Sequence, residues 1–271
     1  MQEARYENRI VAFLDVLGFQ KRLQAFEEES KAHNDADEQD FYVSPSANQF
    51  IQAFRNVLSL IGEKNCHYYL FSDNICITIN PFTNKDLAVD LLFTVSELFK
   101  QFSSYGYFLR GGIDYGLMQD QEDIALGTPL ANAYKLENQV ANFPRVIISD
   151  NFKNFLDDIC NNLEVNETDI FNKQNFLKDS CEIRYINPFY NVVRNDDKVG
   201  FFQYYKYAIE AEIAENARNE KIFLKYDWLA CEYNHFLGEY LENINYFEQN
   251  IELTDDELAT LSTLKIDHYG S

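Results

Sequence analysis

Residues 9 to 19, RIVAFLDVLGF, restrict the fold more than any other stretch of this chain. Branched and aromatic side chains fill the run almost without a break and Gly18 closes it. It therefore reads as a strand buried on both faces that leads into a turn. One acid, Asp15, interrupts it. A carboxylate inside a strand built for a core either caps the next helix or belongs to a site.

The segments that follow supply partners for such a strand. Phe50, Ile51, Phe54, Val57, Leu58 and Ile61 share one face of a helix expected to start at a Ser46 cap and to pack on a sheet. Residues 67 to 80, HYYLFSDNICITIN, read as two strands around a tight turn at Ser72-Asp73-Asn74. A helix from about Asn84 to Ser103, a strand over 107–118 (YFLRGGIDYGLM) and a helix over 128–141 with Pro129 in its first turn come next. Pro144 ends that helix and RVIIS forms a last strand. This order approaches a split βαβ sheet, so residues 1–150 are expected to form an α+β, ferredoxin-like domain. Residues 27–45, rich in Glu and Asp, read as a solvated loop.

Residues 151–271 are expected to form a mostly helical extension packed on that domain. Residues 151–180 look helical and polar, and helical periodicity runs through Phe201, Tyr204, Ile209, Ile213, Ile222, Leu224, Trp228, Tyr233 and Leu237. No phosphate loop, dinucleotide fingerprint, zinc-protease or nucleophile-elbow motif occurs in the chain.

Charge and cysteine usage exclude several function classes. With 23 basic against 44 acidic residues the formal net charge is -21, which repels nucleic acid and anionic membranes. Cys66, Cys76, Cys160, Cys181 and Cys231 are odd in number and widely spaced, unlike a disulfide framework or zinc site. A charged N-terminus and the lack of any long uncharged apolar run leave no signal peptide or membrane span to see. The expectation is a cytoplasmic protein.

Asp15 and Asp73 are the candidate chemistry. In a split βαβ sheet the first strand and the hairpin are neighbours, so both acids can meet at one sheet end. Two carboxylates about 4 Å apart repel by about 4 kcal/mol at a surface-like dielectric, which favours a shared proton or a divalent cation. Oxygen donors without a nearby His or Cys suit Mg²⁺ or Mn²⁺, which complete their shells with water and phosphate. Gly18 and Phe19 open the next helix, with Lys21 and Arg22 in its first turn, so a phosphate is expected there. Each acid alone would more simply cap a helix or make a turn.

These residues resemble a family. FLDVLGF looks like the first metal motif of class III nucleotidyl cyclases, SDNI like their hairpin motif, and RGGIDYG followed by GTPLANAYKLE like their later strand and helix. The resemblance implies two metal ions on Asp15 and Asp73, assisted by the Val16 carbonyl, and a head-to-tail homodimer. Purine cyclases carry a base-reading Lys four residues before the second metal acid, where this chain has Tyr69. That resembles the pyrimidine branch, the uridylate and cytidylate cyclases of bacterial Pycsar anti-phage systems, whose product signals to a separate effector. The second base-reading position falls on Ile124. The family's transition-state Asn and Arg fall on Ala131 and Lys135, with Asn132 one place off. Arg145 is a further candidate phosphate ligand, and Arg110 reads as structural. The alternative is a degenerate cyclase fold that binds nucleotide or a partner without turnover, and a weaker one is a polymerase-like palm.

Overall fold

The computed structural model describes residues 4–32, 42–59, 66–82, 87–121, 124–162, 177–180, 183–190, 197–244 and 253–268. Residues 33–41 of the acidic loop, Asp123, the sequon at Asn166 and Cys181 lie outside the described residues. The strands are β1 (Glu7–Val16), β2 (Cys66–Phe71), β3 (Asn74–Ile79), β4 (Leu109–Gln121), β5 (Ile124–Gly127), β6 (Val146–Ile148), β7 (Leu177–Ser180) and β8 (Ile183–Ile186). The helices are α1 (Phe19–Ala32), α2 (Pro45–Leu58), α3 (Leu87–Ser103), α4 (Thr128–Lys135), α5 (Asp150–Asn162), α6 (Lys198–Glu215), α7 (Glu220–Glu242) and α8 (Asp255–Ser262).

The architecture is α+β. One sheet runs β2-β3-β1-β4-β6-β8-β7, with β5 paired to β4. β1 lies between β3 and β4, antiparallel to both, and β4 pairs with β6 in parallel. Ile10, Ala12, Leu14 and Val16 point into the main core with α2 and α3, whereas Val11 and Phe13 face the opposite side, where Met118 and Ala133 cover them. Burial on both faces is the reason the run reads as continuously apolar. Asp15 shares the Val11 and Phe13 face by strand alternation.

That second face depends on α4 coming close to the sheet. A Cβ on Gly112 would meet Ala133 O and Leu136 Cβ at 2.5 Å, so glycine is needed there for the helix to settle. A π-helical turn (Leu136–Val140) continues α4 and contains the buried Glu137.

Four expectations are corrected. Residues 27–32, expected to begin a solvated loop, continue α1, since Glu, Lys and Ala are good helix formers even without an apolar face. The α2 cap is Ser44, not Ser46: Ser44 Oγ accepts from Ala47 N–H and Pro45 takes the first helical position, where its missing donor costs nothing. β4 extends to Gln121 and folds back into β5. The stretch 151–180, read as helical throughout, contains α5 and then β7, which pairs with β8 to extend the sheet beyond β6. Short strands at a sheet edge carry little periodicity to read.

α6, α7 and α8 have their own core around Phe202, Tyr205, Tyr233, Phe236 and Tyr240, joined to the sheet domain through Phe108 and Phe189. Among the described residues no helix is long and apolar enough to cross a membrane.

Candidate functional site

Backbone pairing brings the two sequence-predicted acids to one end of the sheet. Asp15 stands opposite Asn74 on β3 and Arg110 on β4, and Val16 N–H donates to the Asp73 carbonyl at 3.1 Å. The hairpin turn that carries Asp73 is thereby fastened to the end of β1. Ser72 supplies the left-handed residue of that turn at φ 60, and Gly18 at φ 71 turns the chain from β1 into α1.

Sequence reasoning missed the residues that complete this corner. Arg110 Nε donates to Asp15 Oδ2 at 2.7 Å, and its Nη2 lies 2.7 Å from Glu137 Oε1. Arg110 thus bridges a candidate ligand to a second buried acid. Its place opposite Asp15 was hidden until the β1–β4 register was known. Lys225 of α7 also acts on the group, through the charges of Asp15, Glu137 and Arg110.

The electrostatics are those of crowded acids. Burial pushes Asp15 above the ordinary carboxylate range, Arg110 opposes this, and the nearby Asp73 charge adds to the rise. Glu137 is raised in the same way, first by burial and against the pull of Arg110, with Asp15 and Asp73 contributing. Mutually repelling oxygen donors without nitrogen or sulfur fit a hard cation. Among the described residues no three His, Cys, Asp or Glu side chains form a metal cage.

A groove of about 490 Å³ opens beside this corner on the α4 face, lined by Phe13, Tyr69, Phe71, Cys76, Leu130 and Tyr134 among others. Its polar edge is Tyr69, whose hydroxyl donates to Asp120 Oδ1 at 2.7 Å. Asp120 also takes Thr78 and Arg9, and lies 3.1 Å from His67 Nδ1. Burial works to raise Asp120, but the Thr78 and Tyr69 hydrogen bonds and the Arg9 charge outweigh it and hold the carboxyl below its usual range. Ile124, at the start of β5, is exposed.

Other predicted residues lie elsewhere. Arg145, expected at a phosphate, is buried with its guanidinium 5.2–5.5 Å from the rings of Tyr185, Phe143 and Trp228. Its planar cation stacks among aromatics, which is a packing role. Asn132 Nδ2 donates to Asp114 Oδ2 at 2.8 Å, so within one chain it is drawn to that acid and not to Asp15 or Asp73. Lys135 is exposed at the end of α4. The Phe19 ring is in the core against Phe26 and Phe50, leaving only its backbone for an anion. Lys21 and Arg22 are paired with Glu215 and Glu212 of α6.

No family model matches the chain, and no curated protein matches it in sequence. Among solved structures it is similar to a bacterial light-regulated adenylyl cyclase at 13% identity and a TM-score of 0.39, over 56% of this chain and 80% of that one. A second such structure gives 14% identity and a TM-score of 0.42, over 57% of this chain and 46% of that one. The adenylyl cyclase CyaB from P. aeruginosa gives 17% and 0.41, over 58% and 84%. These are likenesses of fold only.

Proposed function

We propose that the chain is a metal-dependent nucleotidyl cyclase that converts a pyrimidine nucleoside triphosphate, UTP or CTP, to its 3′,5′-cyclic monophosphate and pyrophosphate. The observation that carries this reading is the hydrogen bond from Val16 N–H to the Asp73 carbonyl, which sets Asp15 and Asp73 at one end of the sheet. The coupling of the two charges supports it.

Asp15, Asp73 and the Val16 carbonyl would hold two Mg²⁺ or Mn²⁺ ions together with the substrate phosphates. Such ions lower the pKa of the ribose 3′-hydroxyl and neutralise charge on the departing pyrophosphate. The 3′-oxygen bonds to the α-phosphorus, the α-phosphorus to bridging-oxygen bond breaks, and the hydroxyl proton leaves to solvent. Arg110 fixes the Asp15 carboxylate through Oδ2. The Gly18 and Phe19 amides at the start of α1 offer donors to phosphate oxygens.

The groove beside the acids is the place for the base. Phe13, Phe71 and Tyr134 give it flat apolar walls suited to a ring. Because Tyr69 spends its proton on Asp120, it offers a base only an oxygen lone pair, which accepts from cytosine N4–H or uracil N3–H. The rim stays apolar where it is open: Phe71 is 53% exposed, Leu126 55% and Tyr134 48%. A second copy of the chain, arranged head to tail, would cover this rim and bring its own Asn132 and Lys135 to the substrate. The small diffusible product suits a second messenger for a separate effector, as the resemblance to anti-phage cyclases implies.

The test is incubation of the purified chain with each of the four NTPs and Mn²⁺. Cyclic UMP or cyclic CMP is expected, and Asp73→Ala should abolish it. No cyclic product from any NTP, or full activity in the variant, overturns the reading. The bond from Asn132 to Asp114 favours one competing reading, a site that binds nucleotide without cyclising it, and calorimetric binding without turnover would identify that case.

A further inference from the structure

Helix α7 lies outside the sheet domain in sequence, yet it crosses the end of the sheet where the acids gather. At one foothold Tyr226 packs on Phe108, with its hydroxyl 3.9 Å from where a Gly18 Cβ would stand, and Ile222 lines the same cavity as Leu17 and Gly18. At the other, Trp228 stacks on Phe143 with ring centres 5.0 Å apart, in the loop before β6. Ile222 and Trp228 are three residues before and after Lys225, so all three share one face of the helix. That face spans the gap between the β1–α1 turn and the β6 loop. Asp15, Arg110 and Glu137 act on Lys225 within that gap.

The charge arrangement shows what Lys225 lacks. Arg110 is shared between Asp15 and Glu137 at 2.7 Å each. Among the described residues no carboxylate forms a close ion pair with Lys225. Burial, and then the positive charges of Arg110 and Lys221, hold its ammonium below the usual lysine range, against the pull of Asp15 and Glu137. Lys21 and Arg22, the cations that sequence places at the α1 phosphate position, are taken by Glu215 and Glu212. Among the described residues at this corner, Lys225 is therefore a half-buried cation without a close carboxylate partner.

We infer that Lys225 is a phosphate-binding residue of the active site, delivered by the C-terminal helix α7 to the polyphosphate tail of a nucleotide held over Asp15 and Asp73. A compact ammonium on a flexible stem suits a non-bridging phosphate oxygen as a point charge. The inference rests on the nucleotide reading of the site, and it makes α7 part of the catalytic centre as well as a support for the sheet.

The test uses the full chain and inorganic triphosphate with Mg²⁺ as the probe. Wild-type protein should bind it, and Lys225→Met should weaken binding about tenfold or more, while Lys225→Arg stays within about threefold. The KM for the cyclised NTP should rise in the Met variant, with the thermal midpoint little changed. A lysine that only offsets the acids would change the midpoint and leave triphosphate affinity alone. A second measurement needs no variant: triphosphate should protect Lys225 of the wild-type chain from acylation, read by peptide mass mapping. If wild type binds triphosphate but Lys225→Met binds it equally, or Lys225 is not protected, the inference is wrong and the cyclase reading stands. If wild type binds neither triphosphate nor any NTP, the nucleotide reading falls and the inference with it.

Discussion

Arg110→Met should destabilise the chain in a pH-dependent way. Arg110 has 21% side-chain exposure, Asp15 14% and Glu137 5%, and both carboxylates are reached at 2.7 Å. Each contact is worth about 6 kcal/mol of direct attraction at an effective dielectric of about 20, much of it offset by desolvation. Removing one partner of a fully buried pair costs about 3–5 kcal/mol. With Arg110 partly open to water, we expect roughly 2–4 kcal/mol. The sign with pH follows from Asp15 and Glu137, which burial raises above their ordinary values despite Arg110. A raised carboxylate keeps its proton more tightly in the folded chain, so stability falls as pH rises from the ordinary range through the folded value. Without Arg110 both values rise further and the fall steepens. Denaturant unfolding followed by Trp228 fluorescence should show a small loss near pH 5 and the full loss near pH 8. Equal loss at both, or none at pH 8, would refute the account of a buried acid pair held by one cation.

Other expectations follow from the same surfaces. Gly112→Val should unseat α4, since even a Cβ meets Ala133 O and Leu136 Cβ at 2.5 Å; a loss of about 1–3 kcal/mol and faster amide exchange over residues 128–140 would show it. Tyr69→Phe removes the hydroxyl that Asp120 accepts from, costing about 1 kcal/mol in a denaturant melt, and should change the ranking of NTPs in the turnover assay. If the proposed head-to-tail dimer forms, the unaltered chain should run as a dimer by light scattering, and Phe71→Asp with Leu126→Asp, which puts charge on the exposed rim of the groove, should give a monomer.

Much of the layout was legible because its signals are local. An apolar run broken only by Asp15 marked β1, Ser72-Asp73 marked the hairpin turn, and Pro129 opened α4. β7 and β8 were not legible, being four residues each and paired only through the finished sheet. The candidate site divides in the same way. Asp15 and Asp73 stand out because each is an acid where an apolar residue belongs. Arg145 misled for the opposite reason: one cation beside a proline says nothing of three aromatic rings that arrive from β8, α7 and its own loop.

Arg110, Glu137 and Lys225 could not be found as a group, because they come from three elements far apart in sequence. What joins them is the charge each exerts on the others at one end of the sheet. In a chain with a formal charge of -21, cations are scarce, and most of those near this corner are already paired. The sheet domain supplies one of them, Arg110, which serves two carboxylates at once. The further positive charge at this corner comes from outside the sheet, on the helix whose Tyr226 packs on Phe108 and whose Trp228 stacks on Phe143. The C-terminal helices are thus tied to the acids by charge as well as by packing, so loosening α7 at Tyr226 or Trp228 should disturb the site before it unfolds the sheet.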